Sequence, residues 1–241
     1  MDEKLLSGQT AVITGASHGL GLALTKRLAS MGADVVMIAR DHDRLSQAAE
    51  SVRGNSGRVL AISCDIANVE QVQSAAEQIA QEMKRVDLLI NNAGIPAPRT
   101  FADTTFADWD AVIGVNLSGA FYMTRALWDL LIAGGSGYVI TISGTAGVRG
   151  GGSPAYGGAK FGLTGLNHAI AAAGKEHGLR ATILYPGSMD TGWRGAPIGE
   201  KPSAETMSPD EVARYIGHLV TSPKEFVVNE AVLSPIASPF L

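Results

Sequence analysis

The sequence predicts an α/β fold, a doubly wound parallel sheet of about seven strands with helices on both faces, and three observations predict it. Short apolar or β-branched runs alternate with longer helical patterns along the whole chain. The runs are continuously apolar, as in AVIT, VVMIA and DLLIN, which suits strands covered on both faces rather than one. Each run is followed by a stretch long enough for a crossover helix, so successive strands point the same way.

In chain order the strands are expected at Thr10–Thr14, Asp34–Ala39, Arg58–Ser63, Val86–Ile90, Tyr138–Ile142, Arg180–Leu184 and Ala231–Leu233. Helical patterns lie near 20–31, 42–52, 68–84, 107–132, 154–176 and 209–220. Asp41 stands where an N-cap opens the second helix. Ser208-Pro209-Asp210-Glu211 opens the last one, with a cap, Pro at the first helical position and acids in the first turn. The one long irregular stretch, about 192–207, reads as a lid or binding loop. No Pro- or Ser-rich linker and no repeat divides the chain, so residues 1–241 read as one domain.

Composition excludes several functions. Hydrophobic residues make up 46% and charged ones 17%, ample for a buried core. A formal charge of −4 without long runs of one sign argues against nucleic acid as a partner. No run of about eighteen apolar residues predicts a membrane span. The acidic start MDEKLLSGQT predicts no secretory leader, and Cys64 stands alone without a disulfide partner. Together these predict a reducing, cytoplasmic setting. His168, His177 and His218 have no cysteine or acid at ligand spacing in the sequence, so no metal site is expected.

The first strand runs into Thr14-Gly15-Ala16-Ser17-His18-Gly19-Leu20-Gly21 and then the helix LALTKRLASMG. Glycines there permit a tight turn and let backbone N–H groups approach a pyrophosphate, whose charge also suits a helix N-terminus. A lone glycine triplet is a weak signal, but the strand–turn–helix setting makes this a Rossmann-type nucleotide loop. Nucleotide choice is read at the end of the second strand, where a carboxylate would bind ribose hydroxyls and repel a 2′-phosphate. Ala39 occupies that position and Arg40 follows it, which favours NADP(H), with NAD(H) the alternative. His18, inside the loop, is either a second phosphate contact or a neutral loop residue.

Four further signatures follow in order: Asn91-Asn92-Ala93-Gly94, Ser143, Tyr156-x-x-x-Lys160, and Pro186-Gly187-x-x-x-Thr191. With the TGxxxGxG form of the glycine loop, they resemble the short-chain dehydrogenase/reductase family over essentially the whole chain. Ser143 lies 13 residues before Tyr156, and Asn116 lies 27 before Ser143, both as in the family. The resemblance implies a catalytic set of Asn116, Ser143, Tyr156 and Lys160. It also implies cofactor contacts at Gly15, Ser17, His18, Gly19, Leu20, Arg40, Asp65, Ile66, Asn92, Ala93, Gly94, Tyr156, Lys160, Pro186, Gly187 and Thr191. Asp65 is the expected adenine contact, and Thr191 the holder of the nicotinamide carboxamide. The C-terminal Val228-Asn229-Glu230-Ala231-Val232-Leu233 resembles the NADP-preferring branch and lacks the Gly-rich ending common in acyl-carrier-protein reductases.

The chemistry accounts for these residue types. A free tyrosine, with a pKa of about 10, is a poor base at neutral pH. Four residues on, along one helix face, Lys160 brings an ammonium that favours the phenolate. Tyr156 then exchanges a proton with a carbonyl or alcohol oxygen while a hydride moves. Ser143 would stabilise that oxygen, and Asn116 would hold a water linking Lys160 to solvent. Singly, each residue has a plainer reading: an amphipathic surface pair, a turn serine, an asparagine capping a helix kink. Their joint spacing favours the catalytic one.

The helix from Ser153 to Lys175 is rich in Gly and Ala, and in the family it packs against its twin, so a homodimer or homotetramer is expected. Gly150-Gly151-Gly152 suggests a loop shaped for close approach, and Met189, Trp193 and Arg194 are placed near the pocket mouth. There Trp193 would be an apolar wall, and Arg194 either an anion contact or a solvated lid residue. The expected partner is a small carbonyl or alcohol substrate. The competing reading is a non-catalytic NADP(H)-sensing or scaffold protein on the same fold.

Overall fold

A computed structural model describes residues 4–54, 57–98, 100–149, 153–192, 198–199 and 204–238. Seven strands form one wholly parallel sheet in the order β3-β2-β1-β4-β5-β6-β7. They are β1 Thr10–Thr14, β2 Asp34–Ala39, β3 Val59–Ser63, β4 Leu88–Asn91, β5 Tyr138–Ile142, β6 Arg180–Pro186 and β7 Glu230–Leu233. The order reverses direction between β1 and β4, where adjacent strands belong to oppositely wound halves, and a crevice opens there beyond their carboxyl ends.

The continuous apolar runs behave as their composition requires. Along β1 and β2, Ile13, Val35 and Met37 point into one core, while Val12, Val36 and Ile38 point into the other. Helices α1 (Gly19–Ser30), α2 (His42–Glu50) and α9 (Pro209–Val220) cover the first face through residues such as Leu24, Leu45 and Ile216. Helices α3 (Val69–Glu82), α5 (Gly119–Ala126) and α6 (Trp128–Ile132) cover the second through Val72, Ile79, Met123 and Leu131. Each such fully buried side chain contributes about 1.5–3 kcal/mol of apolar transfer. Among the described residues no helix is long and apolar enough to cross a membrane.

Helix starts follow the capping chemistry. The Asp41 carboxylate accepts the Arg44 N–H at 3.0 Å to open α2. Asn68 opens α3 in the same manner, and Ser208 with Glu211 forms a capping box at α9. The remaining α-helices are α4 (Phe106–Ile113), α7 (Ala146–Arg149) and α8 (Pro154–Gly174), the last capped by Ser153 with Pro154 in its first turn.

Several boundaries differ from expectation. The stretch 107–132 is not one helix: a π-helical segment, Gly114–Ser118, separates α4 from α5, and a break at Leu127 separates α5 from α6. The apolar pattern runs through both breaks, so periodicity does not reveal them. Side-chain bonds of Asn116 impose the first, as described below. The β4 ladder is displaced toward Asn91, which pairs with Thr141, and β6 continues to Pro186 because β7 pairs with it there. Helix α7, in a glycine-rich stretch expected to be loop, is additional.

Candidate active site

The glycine loop is held by the strand beside it. Thr14, buried at the end of β1, accepts the backbone N–H groups of Asn92 and Ala93 on Oγ1, each at 3.0 Å. Asn92 Nδ2 donates back to the Thr14 carbonyl at 2.8 Å. Gly15 adopts φ +67°, and a Cβ there would stand 2.8 Å from the Ala93 Cα. A Cβ on Gly21 would overlap the Gly15 carbonyl at 2.1 Å, so α1 starts directly against the turn. The His18 N-cap contributes no side-chain bond to α1, and the helix has no acid in its first turn. This is a backbone cradle at a helix N-terminus, the arrangement that accepts a pyrophosphate.

One cation, Arg44, acts electrostatically at the edge of that cradle. Ser17 Oγ lies 3.2 Å from His18 Nδ1. Burial holds the His18 imidazole below its ordinary pKa, and the positive charge of Arg44 adds to the effect. Arg40 is exposed, and its carbonyl accepts the Ser63 hydroxyl at 3.0 Å. Arg44 escaped the sequence reading, although it stands four residues after Arg40. Its charge reaches His18 of the glycine loop only in the folded chain. The Asp65 carboxylate accepts the Ala67 N–H at 3.0 Å, while its own N–H donates to Gln71 Oε1 at 2.8 Å. Ile66 is buried under α5, where a Cβ on Gly119 would meet it at 2.6 Å.

The four residues implied as catalytic come from three elements. Asn116, fully buried in the π segment, clasps Ile95: Oδ1 accepts its N–H at 2.7 Å and Nδ2 donates to its carbonyl at 3.0 Å. That clasp fixes the loop carrying Gly94 after β4 and gives the π turn a structural reason. Ser143 is buried just beyond β5, and its hydroxyl donates to the Lys160 carbonyl at 3.0 Å. Lys160 Nζ lies 5.5 Å from the centre of the Tyr156 ring and donates to the Ile142 carbonyl at 3.0 Å. Desolvation brings the Lys160 ammonium down from an ordinary 10.5 to about 8. The Tyr156 hydroxyl points to Gly144, where a Cβ would be 3.5 Å away. Gly147 is also required, since a Cβ on it would stand 2.3 Å from Ser143 Oγ.

The segment after β6 closes the crevice. The Pro186 carbonyl accepts the Thr145 N–H at 3.2 Å, and Gly187 N–H donates to Leu233 at 2.7 Å. The Thr191 Cβ comes within 3.2 Å of where a Cβ on Gly19 would be, so this segment meets the glycine loop. Met189 bridges to Met207, and the Asp190 carboxylate accepts the Gly199 N–H at 2.8 Å. Trp193, Arg194 and Gly150-Gly151-Gly152 lie outside the described residues. His168, acid-free in the sequence around it, meets Glu230 of β7 at 2.6 Å. Among the described residues no group of His, Cys, Asp or Glu could hold a metal.

Comparison with known proteins agrees with this fold. A family model described as short chain dehydrogenase matches residues 9–198. A 3-oxoacyl-[acyl-carrier-protein] reductase of Synechocystis sp. is 33% identical over 90% of this chain and 91% of its own. D-threitol dehydrogenase of Mycolicibacterium smegmatis is 30% identical over 86% of this chain and 84% of its own. Among solved structures, an alcohol dehydrogenase from the archaeon Thermococcus sibiricus complexed with 5-hydroxy-NADP superposes with a TM-score of 0.90 at 26% identity, covering 97% of this chain and 99% of that one. A metagenomic short-chain oxidoreductase in complex with NADP superposes with a TM-score of 0.82 at 30% identity, covering 96% and 98%.

Proposed function

The chain belongs to the short-chain dehydrogenase family of oxidoreductases, and from that premise we propose that it reduces a small carbonyl compound, or oxidises the corresponding secondary alcohol, with NADP(H) and with Tyr156 as acid–base group. The observation that carries this reading is the buried Lys160 ammonium, 5.5 Å from the centre of the Tyr156 ring. A cation in so dry a place stabilises the phenolate and lets Tyr156 give up its proton near neutral pH. When bound, the nicotinamide supplies or takes the hydride.

In the reducing direction Tyr156 donates its hydroxyl proton to the substrate oxygen, and Lys160 compensates the negative charge left on the phenol. Ser143 serves the same oxygen once its hydroxyl turns from the Lys160 carbonyl, a rotation about one side-chain bond. Asn116 keeps one amide hydrogen beyond its clasp on Ile95, enough to hold a water through which the spent proton is replaced. Arg40, Arg44 and His18 form the subsite for the 2′-phosphate, which accounts for NADP(H) over NAD(H). Replacing Tyr156 by Phe keeps the ring and removes the acid. Turnover on a panel of ketones, aldehydes and secondary alcohols should fall about 10²–10⁴-fold while NADPH binding, read by fluorescence, stays unchanged. An unaltered rate removes the acid–base role. Binding with no turnover by the parent chain on any panel member would leave only a nucleotide sensor.

The same reading includes self-association. Along α8 the exposed positions Gly158, Phe161, Gly165 and His168 form one stripe, and the exposed Trp109 of α4 lies against it, 3.4 Å from where a Cβ on Gly158 would be. A second copy laid on this face would bury the aromatics and let two backbones approach at the glycines. Light scattering on Phe161→Glu should show a smaller particle than the parent; equal particle sizes reject this face.

A further inference from the structure

The crevice described above uses only the carboxyl ends of the strands. At the opposite end of the sheet, a cavity of about 300 Å³ opens between the N-terminal segment, the end of α9 and the starts of β1, β4 and β5. That volume lies at the lower end of those that hold small molecules. Part of the wall is apolar, through Leu6, Leu88 and Val220, while Arg85, Arg180 and Lys224 bring three cations against one carboxylate, Asp87.

The carboxylate is already engaged. Asp87 Oδ1 takes Arg85 Nε at 2.9 Å, and Oδ2 accepts the Thr10 N–H at 2.8 Å. Two positive charges are left on the wall of a chain whose formal charge is −4. Arg180 is held in place for a ligand. Its guanidinium carbon lies 4.2 Å from the centre of the Tyr138 ring, and its Nη1 donates to the Ser222, Pro223 and Phe226 carbonyls at 3.3–3.5 Å. These bonds leave its other N–H donors for an anion. Among the described residues no carboxylate lies within 4.0 Å of Arg180 or Lys224. Glu225 lies further off and only partly offsets the burial of Arg180. The hydroxyl of Ser136 adds a donor to the rim.

We propose that this basal cavity binds a small organic anion, a carboxylate or phosphate on a short apolar body, with Arg180 and Lys224 as its cationic contacts. A fixed half-buried guanidinium suits a planar or tetrahedral anion, and Lys224 closes on it from solvent. The apolar wall between the N-terminal segment and α9 accommodates the body. Occupancy ties that segment to the sheet, so ligand binding raises thermal stability by mass action.

Thermal unfolding of the full chain without nucleotide tests this, with inorganic phosphate, butanoate and butyl phosphate as probes at up to about 10 mM. Butyl phosphate should raise the midpoint saturably by about 2–5 °C, and by more than inorganic phosphate does. Lys224→Glu, on the exposed rim, should abolish the rise, as should Arg180→Gln if that variant folds. Arg40→Ser, at the other end of the sheet, should keep it. The proposal falls if the parent shows no saturable rise, if Lys224→Glu leaves the rise intact, or if only Arg40→Ser removes it, which would place the anion in the nucleotide crevice. Equal rises with inorganic and butyl phosphate reject the apolar body.

Discussion

The two halves of the crevice are built by opposite means. In the nucleotide half, function depends on what is missing: Gly15 and Gly21 have no Cβ because backbone occupies the space a Cβ would need. In the half proposed for the reaction, the notable residues are those forced in. Lys160 is a lysine driven fully into a dry site, and Ser143 and Asn116 are buried polar groups bonded to backbone. The first half is a shape that the chain adopts at little cost in solvation. The second holds a charge against its own solvation, so it is where stability and activity conflict.

Breaking that conflict gives the largest expected effect. Lys160→Met should lower kcat by about 10²-fold or more while making the ligand-free chain more stable. The fall of the ammonium from 10.5 to about 8 corresponds to a cost of about 3 kcal/mol at neutral pH, and losing the bond to the Ile142 carbonyl returns about 1 kcal/mol of it. A net gain of about 2 kcal/mol in urea unfolding is therefore expected. Its pH dependence has a definite sign. Between about 8 and 10.5 the unfolded chain binds the Lys160 proton and the folded chain does not, so parental stability rises with pH across that window. The advantage of the variant should thus be full below about pH 8 and vanish above 10.5. A variant less stable than its parent at pH 7 would show that Lys160 is not held at a desolvation cost.

The nucleotide half should respond in the other direction, losing stability and binding together. Gly21→Ala places a methyl 2.1 Å from the Gly15 carbonyl, and the turn must move. A destabilisation of about 1–3 kcal/mol, with NADPH binding weakened at least tenfold, is expected from calorimetry. Normal binding in a destabilised variant would separate the loop from the cofactor.

Charge at the rim comes last. Arg40→Asp should shift the ratio of kcat/KM for NADPH over NADH by about tenfold toward NADH, equivalent to about 1.4 kcal/mol. Arg44→Ser should give a smaller shift of the same sign, and an unchanged ratio in both variants would reject the phosphate subsite. The contrast with Lys160 is one of dielectric: exposed Arg40 acts through water, whereas Lys160 acts through protein.

Legibility in the sequence follows the same division. Strand positions were readable because a strand covered on both faces must be continuously apolar, as Val35–Ala39 is. The glycine loop was readable because strand, turn and helix follow one another directly in the chain, although the bonds from Asn92 that hold it cross 78 residues. The approach of the Arg44 charge to His18 was not, because it exists only once the chain is folded. The π turn at Gly114–Ser118 was not, because the bond that imposes it runs from Asn116 back to Ile95, 21 residues away. His168 looked isolated from acids until the sheet brought Glu230 beside it across 62 residues.

By itself, then, the sequence determined the alternation of strands and crossover helices, the backbone cradle, and the presence of a tyrosine and a lysine one helical turn apart. These are local matters of periodicity, chirality and spacing. The tertiary structure decided that the lysine is buried, that Ser143 and Asn116 are tied to backbone, and that Arg180 and Lys224 converge at the far end of the sheet. Burial and convergence depend on which distant segments pack together, and solvation energy belongs to that packing rather than to any one residue.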